Sequence, residues 1–216
     1  MNTDFARQQM VQQQVRAWDV FDADILDVLA SVPREQFVPA GLESLAFADA
    51  EIPIGHGQFM LTPTVEGRLL QALALLPTDE VLEVGTGSGF VTACLARLSK
   101  SVLSIDIDDD FLRAAEGNLA DSGITNVELG TMNAMHDLPQ QEFDAIAVTG
   151  SVQTFDPRFV MALRPGGRLF MIVGDAPVME ARLVTRTGDT DWDSQTLFET
   201  DIAPLVGGAN PPGFSF

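Results

Sequence analysis

The sequence is poor in cysteine and has no long hydrophobic run. Cys94 is the single cysteine in 216 residues, which excludes an internal disulfide framework and any multi-cysteine metal site, and we predict no metal ion. No apolar stretch approaches the roughly 20 residues that span a bilayer. The N-terminal stretch "MNTDFARQQMVQQQV" lacks the apolar core of a signal peptide. We therefore expect a cytoplasmic protein with no membrane partner.

Basic residues are also scarce. Twelve basic residues stand against 31 acidic ones, the net charge is −19, and Lys100 is the only lysine. Nucleic-acid binding usually rests on a basic patch, and none is visible in the sequence. We therefore predict no nucleic-acid partner and interpret the acidic surface as a source of solubility, with salt tolerance as an additional consequence.

The first third of the chain is predicted to be helical. Residues 3–17 form one helix with Phe5, Met10, Val11 and Val15 on its packed face, and a second helix runs from its N-cap, Asp22, to Val32. Residues 50–61 are predicted as a loop or extended segment, because they contain a proline and two glycines. We expect residues 1–62 to form a helical segment, placed where it can act as a lid, on a core of residues 63–216.

The core alternates short β-branched runs with helical patterns. A helix begins at Pro63, and the predicted strands and helices then follow in order: "EVLEV", helix 89–98, "SVLSID", helix 109–121, "NVEL", "FDAIAVT", helix 156–163 and "GRLFMIVG". This alternation favours an α/β fold with a mostly parallel sheet and helices on both faces. In "LRPGGRL" the proline and glycines predict a helix-to-strand turn. After Gly174, two strand patterns joined by "GDTD" predict an antiparallel hairpin, and the tail "GGANPPGFSF" is predicted to be irregular.

A glycine loop follows the first core strand in "VLEVGTGSGF". Its glycines allow a tight turn and let a ligand approach main-chain N–H groups. The spacing does not match the dinucleotide fingerprint, and an acidic residue two positions before the first glycine suits the cationic end of S-adenosylmethionine better than a pyrophosphate. We therefore predict S-adenosylmethionine as the cofactor, contacted here by Glu83, Gly85, Thr86, Gly87, Ser88 and Gly89.

Other strand ends complete the predicted cofactor site. Asp106 ends the second core strand, where a carboxylate can accept both ribose hydroxyls, and Ile107 lies beside it, whereas Asp108 is predicted to cap the next helix. In "GTMNAM", Met132 is predicted to pack on adenine and Asn133 to bond its edge, although ordinary packing and turn chemistry explain both equally well. Thr149 is predicted to lie beside the reacting centre.

With these pieces assembled, the chain resembles the protein-L-isoaspartate O-methyltransferase family. The resemblance covers nearly the whole chain and is carried by the stretches "MVQQQV", "ILDVLASVPREQFVP", "IPIGHGQ", "VLEVGTGSGF", "FDAIAVTG" and "LRPGGRL". The resemblance implies a Rossmann-like class I methyltransferase fold. It also implies transfer of a methyl group from S-adenosylmethionine to the α-carboxyl of isoaspartyl residues in damaged proteins, which is a protein-repair reaction.

The chain departs from the family pattern in two places. The family's short loop typically reads Thr-Ile-Ser-Gln-Pro, and in "FMLTP" the position of the serine is occupied by Leu61. The family's Gly-Asp-Gly after the third strand is replaced by "GTM", with Thr131 at the acidic position. The remaining candidates for catalysis are Thr62, His56 and Gln58. Thr62 is also the expected N-cap of the helix that begins at Pro63, and a lone loop histidine is often exposed and idle.

Three functions therefore stay open. The first is methylation of isoaspartyl carboxylates, and the second is methylation of a different, more apolar acceptor, which is a peptide, a protein or a small molecule. The second follows because burying a carboxylate against Phe59, Met60 and Leu61 without a partner costs several kcal/mol. The third is a protein that binds the cofactor without catalysis. The sequence does not indicate an oligomeric state.

Overall fold

A seven-stranded mixed sheet forms the centre of the protein. The computed structural model describes residues 3–207, and the strands follow the order β5-β4-β3-β6-β7-β8-β9 across the sheet. The strands are β3 (Glu80–Val84), β4 (Ser101–Asp106), β5 (Val127–Thr131), β6 (Phe143–Val152), β7 (Leu163–Asp175), β8 (Val178–Arg186) and β9 (Trp192–Thr200). Strands β3 to β7 pair in parallel, whereas β8 pairs antiparallel with both β7 and β9. The predicted mostly parallel sheet with a C-terminal hairpin is confirmed.

Helices cover both faces of this sheet. They are α1 (Thr3–Gln9), α2 (Ala23–Ser31), α3 (Pro63–Leu73), α4 (Phe90–Leu98), α5 (Asp109–Asp121) and α6 (Pro157–Met161). Side chains of β6 alternate between two apolar clusters: Ala145 and Ala147 join the one under α3 and α4, and Ile146 and Val148 join the one under α6. This alternation follows from the two-residue period of a strand. None of the helices between residues 3 and 207 is long and apolar enough to cross a membrane.

The N-terminal helix is less regular than predicted. It is α-helical to Gln9, widens to a π-helix over Met10–Val15 and ends in a 3₁₀ turn, Arg16–Trp18. Phe5 is 60% exposed, contrary to the prediction, and α1 contains no buried residue. Met10, Val11 and Val15 are buried as predicted.

Three boundaries differ from the sequence prediction. The segment predicted as a loop or extended is extended in part, since it contains a hairpin of two short strands, β1 (Ile52–Gly55) and β2 (Gln58–Met60). Helix α6 ends at Met161, and "LRPGGRL" lies within β7, where the register of pairing with β6 shifts. Gly166 has a φ of 81° at that irregularity, so the glycine allows a bulge within a strand and not a turn before it. Apart from Gly207, the tail predicted to be irregular lies outside the described residues.

A buried ion pair ties the N-terminal segment to α3. Arg34, from "VPREQFVP", places Nη1 2.5 and 2.6 Å from the two carboxylate oxygens of Glu66. The same guanidinium donates hydrogen bonds of 2.8 Å to the carbonyl oxygens of Ala46 and Leu61. Burial raises the pKa of Glu66 to about 7, although Arg34 acts in the opposite direction. The pair therefore fixes the end of the hairpin segment against the core.

Cys94 lies on α4 in the same buried region. Its side chain is fully buried, and burial followed by the nearby Glu66 raises the pKa of its thiol well above the ordinary value. The cysteine is therefore a neutral, packed side chain at physiological pH.

Candidate functional site

A cavity of about 420 Å³ lies at the carboxyl ends of the central strands. Its floor comes from residues that follow or end β3, β4, β5 and β6, and its cover comes from the β1–β2 hairpin and from Leu205 and Val206. This edge is where open α/β sheets bind ligands. The volume falls within the roughly 300–1,000 Å³ of small-molecule sites.

The glycine loop forms one wall of this cavity. Gly85 and Gly87 line it and have φ values of 98° and 50°. A Cβ atom at Gly85 would overlap the Thr149 hydroxyl, which donates a 2.6 Å hydrogen bond to the Gly85 carbonyl. Thr149, on β6, also lines the cavity. The loop backbone is therefore exposed to a ligand because no side chain intervenes.

The other predicted loop residues lie behind this wall. Gly89 is the N-cap of α4 and packs against Ala115, and the Ser88 hydroxyl accepts a hydrogen bond from the Phe90 N–H at 3.4 Å. Thr86 is buried and its hydroxyl lies 2.7 Å from that of Ser104. None of Thr86, Ser88 and Gly89 lines the 420 Å³ cavity.

Glu83 is buried beneath the loop and does not line the cavity. One carboxylate oxygen accepts hydrogen bonds from Ser104 at 2.6 Å and from Thr92 at 2.5 Å. The other oxygen has no hydrogen-bond partner within residues 3–207. Burial raises the pKa of Glu83 to about 8, the two hydroxyls lower it, and the Asp106 charge raises it. The side chain is therefore neutral at pH 7 and supports the loop through Ser104 and Thr86, an arrangement that differs from the charged contact predicted from sequence.

Asp106 lies at the cavity in the predicted position. One carboxylate oxygen accepts a hydrogen bond from the Gly87 N–H and the other accepts from the Asp108 N–H, both at 3.0 Å. Each carboxylate oxygen retains acceptor capacity for a second donor. Asp108 caps α5, as predicted, by accepting from the Asp110 N–H. The two main-chain hydrogen bonds therefore fix the Asp106 carboxylate, which can still accept hydrogen bonds from ligand hydroxyls.

The residues beside Asp106 provide an apolar slot with polar edges. Ile107 and Met132 line the cavity from the ends of β4 and β5, and Asn133 follows. The Asn133 side-chain oxygen accepts from the Met135 N–H at 3.0 Å. Thr131 does not line the cavity, and its hydroxyl donates a hydrogen bond to the Asp109 carboxylate at the start of α5.

The hairpin extends over the cavity and contacts the opposite wall. His56 has a φ of 52°, and its Nδ1 lies 2.5 Å from an Asp108 carboxylate oxygen. Its ring packs 5.3 Å from that of Phe111. The histidine is 52% exposed, yet it joins the hairpin to the start of α5. It is therefore a contact between the cover and the cavity wall.

A second cavity of about 860 Å³ adjoins the first. The two cavities share five lining residues, which we call the junction: Gln58, Phe59, Met135, Leu205 and Val206. Gln58 is the only polar side chain among them. Sequence analysis included Gln58 but missed Met135, Leu205 and Val206, because no local pattern indicates that residues 201–207 return to β6, where Pro204 bridges to Ser151.

Leu61 and Thr62 lie outside both cavities. Leu61 is 6% exposed and lines a small void of about 40 Å³ between the hairpin and the glycine loop. The Thr62 hydroxyl caps α3 by accepting from the Val65 N–H at 3.4 Å, and it lies 2.9 Å from the Thr64 hydroxyl. This placement agrees with the capping interpretation of Thr62.

The chemistry of the first cavity fits S-adenosylmethionine. A carboxylate with spare acceptor capacity suits ribose hydroxyls, an apolar slot suits adenine, and a bare glycine backbone suits a closely approaching ligand. Asp106, Ile107, Met132 and Gly85 supply these features in one cavity.

Comparisons with known proteins agree with this chemistry. The family model described as protein-L-isoaspartate(D-aspartate) O-methyltransferase matches residues 6–210. A protein-L-isoaspartate O-methyltransferase of Methylorubrum extorquens is 37% identical over 210 residues, covering 95% of this chain and 92% of the relative. Protein-L-isoaspartate O-methyltransferase 2 of Pelobacter propionicus is 33% identical over 211 residues, with the same coverage.

A solved structure shows the same fold. A protein-L-isoaspartate O-methyltransferase structure from Plasmodium falciparum, in complex with S-adenosyl-L-homocysteine, superimposes with a TM-score of 0.79 at 19% identity and covers 92% of this chain and 97% of its own. The family match, the relatives and the fold lead to one conclusion. The chain belongs to the protein-L-isoaspartate O-methyltransferase family, whose members are S-adenosylmethionine-dependent methyltransferases.

Proposed function

We propose that the protein transfers the methyl group of S-adenosylmethionine to the carboxylate of an isoaspartyl residue in a protein or peptide. The observation that carries this proposal is the junction, where the cofactor cavity meets a second, larger cavity. A methyl group can pass directly from one cavity to the other only at shared walls. We therefore call the 860 Å³ cavity the acceptor cleft.

The residues of the first cavity hold the cofactor. Asp106 would accept hydrogen bonds from the ribose hydroxyls, Ile107 and Met132 would pack on the adenine, and Asn133 would hydrogen-bond its edge through the side-chain amide. Gly85 and Gly87 allow close approach of the amino-acid part. When bound, S-adenosylmethionine supplies an electrophilic methyl group on a positively charged sulfur.

Gln58 orients the acceptor carboxylate. Its side-chain amide makes no hydrogen bond within residues 3–207, and it lines both cavities. A carboxylate with an ordinary pKa near 4 is already ionised at neutral pH, so no general base is required. The amide N–H₂ offers two donors to the carboxylate while leaving its charge in place. Gln58 therefore supplies the partner that the apolar stretch "FML" lacks.

The apolar junction residues would displace water from the reacting carboxylate once the acceptor is bound. Phe59, Leu205 and Val206 line both cavities together with Gln58 and present hydrocarbon to them. Removing the hydration shell makes a carboxylate a better nucleophile, and fixing it next to the methyl group lowers the entropic part of the barrier. Positioning and desolvation are the two contributions that this chain makes to the rate.

The hairpin is the lid of the cofactor cavity. Its contact through His56 closes the cavity on the side of α5, and Gly55 and Gly57, with φ values of 101° and 73°, lie on either side of the histidine. Within residues 1–62, we assign the lid to the hairpin and a packing role to the helices before it. Residues from 63 onward form the catalytic core.

A second candidate function is methylation of a more apolar acceptor. The observation that favours it is that Gln58 is the only polar side chain at the junction, and that Leu61 fills the position of the family's serine with a buried hydrocarbon. An acceptor with little charge would lose less hydration in this environment.

The test is radiolabelled methyl transfer to matched isoaspartyl and aspartyl peptides, with cofactor binding measured by calorimetry. We expect base-labile methyl esters on the isoaspartyl peptide alone. Gln58→Glu should lower kcat/KM by roughly 100-fold, because it replaces a donor with a charge that repels the acceptor. The matched control, Gln141→Glu on the exposed loop before β6, should retain wild-type activity.

The alternatives give different outcomes in the same assay. Transfer to an apolar acceptor pool without transfer to isoaspartyl peptide would support the second candidate. Cofactor binding without turnover on any acceptor would indicate a non-catalytic protein. If Leu61→Ser acquires isoaspartyl activity that the wild-type protein lacks, the loss of activity is assigned to Leu61.

A further inference from the structure

We infer that the acceptor cleft selects isoaspartyl peptides that carry lysine or arginine side chains next to the isoaspartyl residue. This inference rests on the proposed function, because it concerns the acceptor that enters the cleft. The position of the cleft is set by the junction with the cofactor cavity. Its charge preference is set by the other residues of its wall.

Three carboxylates line the cleft away from the junction. They come from three separate parts of the chain: Glu51 precedes β1, Asp175 ends β7, and Asp201 follows β9. No lysine, arginine or histidine lines the cleft among the described residues. The charged side chains of the wall are therefore all acidic, and they lie beside the largely apolar junction.

None of the three carboxylates has a cationic partner among residues 3–207. Within the described part of the chain, Glu51 and Asp201 make no hydrogen bond or ion pair through their side chains, whereas Asp175 accepts a 2.8 Å hydrogen bond from Gln153. Burial raises the pKa of Glu51, and the nearby charge of Asp201 raises it further, so the two carboxylates lie close together. Many other carboxylate side chains of the protein form ion pairs with arginines, for example Glu80 with Arg164. The cleft acids remain available to a ligand.

This wall opposes a bare carboxylate acceptor. The isoaspartyl carboxylate must approach past fixed negative charges, and the net charge of −19 adds a long-range repulsion. A cationic side chain on the same peptide reverses both effects, since it can pair with Glu51 or Asp201 while the carboxylate reaches Gln58. Charge complementarity of this kind sets specificity and association rate more than it sets maximal affinity.

The shape of the cleft favours a peptide over a small amine. The cleft is about twice the volume of the cofactor cavity, 860 against 420 Å³. A small amine that pairs with these acids does not also present a carboxylate to Gln58 at the junction. A peptide with basic residues on either side of the isoaspartyl residue satisfies both requirements.

The experiment compares three isoaspartyl peptides that differ only in their flanking residues, which are lysine, glutamine or glutamate. Methyl transfer is measured as kcat/KM, and peptide binding to the complex with S-adenosylhomocysteine is measured by fluorescence anisotropy. We expect the order lysine, glutamine, glutamate, with roughly tenfold between the extremes at low salt. The range should shrink at about 0.5 M salt, where charges are screened within a few ångströms.

A double variant locates the effect. Glu51→Gln combined with Asp201→Asn should reduce the preference for lysine to about twofold or less. The control, Glu116→Gln combined with Glu128→Gln, removes the same charge from exposed positions that line neither cavity, and it should keep the full preference. Equal kcat/KM and equal binding for the three peptides, or a preference unchanged in the cleft variant, would overturn the inference.

The two readouts separate this inference from the proposed function. Absence of methyl transfer to all three peptides refutes the proposed function. In that case the binding series still decides the charge preference: tighter binding of the lysine peptide that is lost in the cleft variant supports it, and absent or equal binding refutes it.

Discussion

Replacement of Glu83 by glutamine should remove the contribution of this carboxyl group to the pH dependence of the unfolding free energy. Burial raises the pKa of the folded-state carboxyl group to about 8, from an ordinary value of 4.5. Because the folded pKa is raised, the protonated form stabilises the fold below about pH 4.5, and that stability is lost as the pH rises toward 8. The difference between the two pKa values corresponds to roughly 4 to 5 kcal/mol. Glutamine has the same shape and cannot ionise.

The assay is urea unfolding of the wild-type protein and Glu83→Gln at pH 5, 7 and 9 without cofactor. Relative to the wild type, the unfolding free energy of the variant should rise by about 4 kcal/mol between pH 5 and pH 9. Glu66 is also raised in pKa, but it is present in both proteins and cancels in the difference. S-adenosylmethionine affinity at pH 7 should change by less than about threefold, because a neutral group replaces a neutral group.

Glu80→Gln is the matched control on the same strand. Its ion pairs with Arg164 and Lys100 lower the pKa of Glu80 to about 2. A lowered pKa gives stability that is present above pH 4.5 and lost only in acid, so this variant should differ from the wild type by a constant amount between pH 5 and 9. If Glu83→Gln also differs by a constant amount, Glu83 is already ionised at pH 5 and the argument from burial is wrong. A large loss of cofactor affinity would instead indicate a charged contact.

Three further predictions concern the supports of the site. Arg34→Met leaves Glu66 buried without its partner and should lower the unfolding free energy by about 3–5 kcal/mol at pH 8. The loss should be smaller at pH 5.5, where the carboxyl group of Glu66 can protonate. Urea unfolding at both pH values checks this, and an equal loss at the two pH values would contradict it. Gly85→Ala forces a Cβ into the hydroxyl beside it at a φ of 98°, so S-adenosylmethionine affinity by calorimetry should fall at least about tenfold, whereas Gly117→Ala, with nothing within 4 Å, should leave affinity unchanged. His56→Asn tolerates the positive φ but removes the contact with α5, so hydrogen exchange of the hairpin amides should accelerate; unchanged protection would remove the histidine from the lid.

Much of the fold follows from local patterns in the sequence. The N-caps at Asp22, Thr62 and Asp108 were predictable, because an oxygen-bearing side chain immediately before a periodic helix satisfies free N–H groups. The alternation of strands and helices likewise determines a parallel sheet, and the parallel sheet brings Asp106 and the glycine loop to one edge. These predictions depend on residues close together in the chain.

The features missed by sequence analysis depend on distant residues. The protonation of Glu83 follows from its burial beneath a loop, which the sequence shows only as an acid near glycines. The pairing of Arg34 with Glu66 spans 32 positions, and the junction joins Gln58 to Leu205, which lie far apart in the chain. Phe5 was misplaced because α1 contains no buried residue, and the position at which the helix enters the core depends on tertiary packing.

The burial of Cys94 has a practical consequence for following the lid in solution. The only thiol of the chain is buried and held protonated, so electrophilic reagents that react with thiolates will not modify the native protein. A cysteine introduced at the tip of the hairpin would therefore be the single reactive position. A fluorophore or spin label placed there, without removal of any natural residue elsewhere, would report opening and closing over the cofactor as a spectroscopic signal.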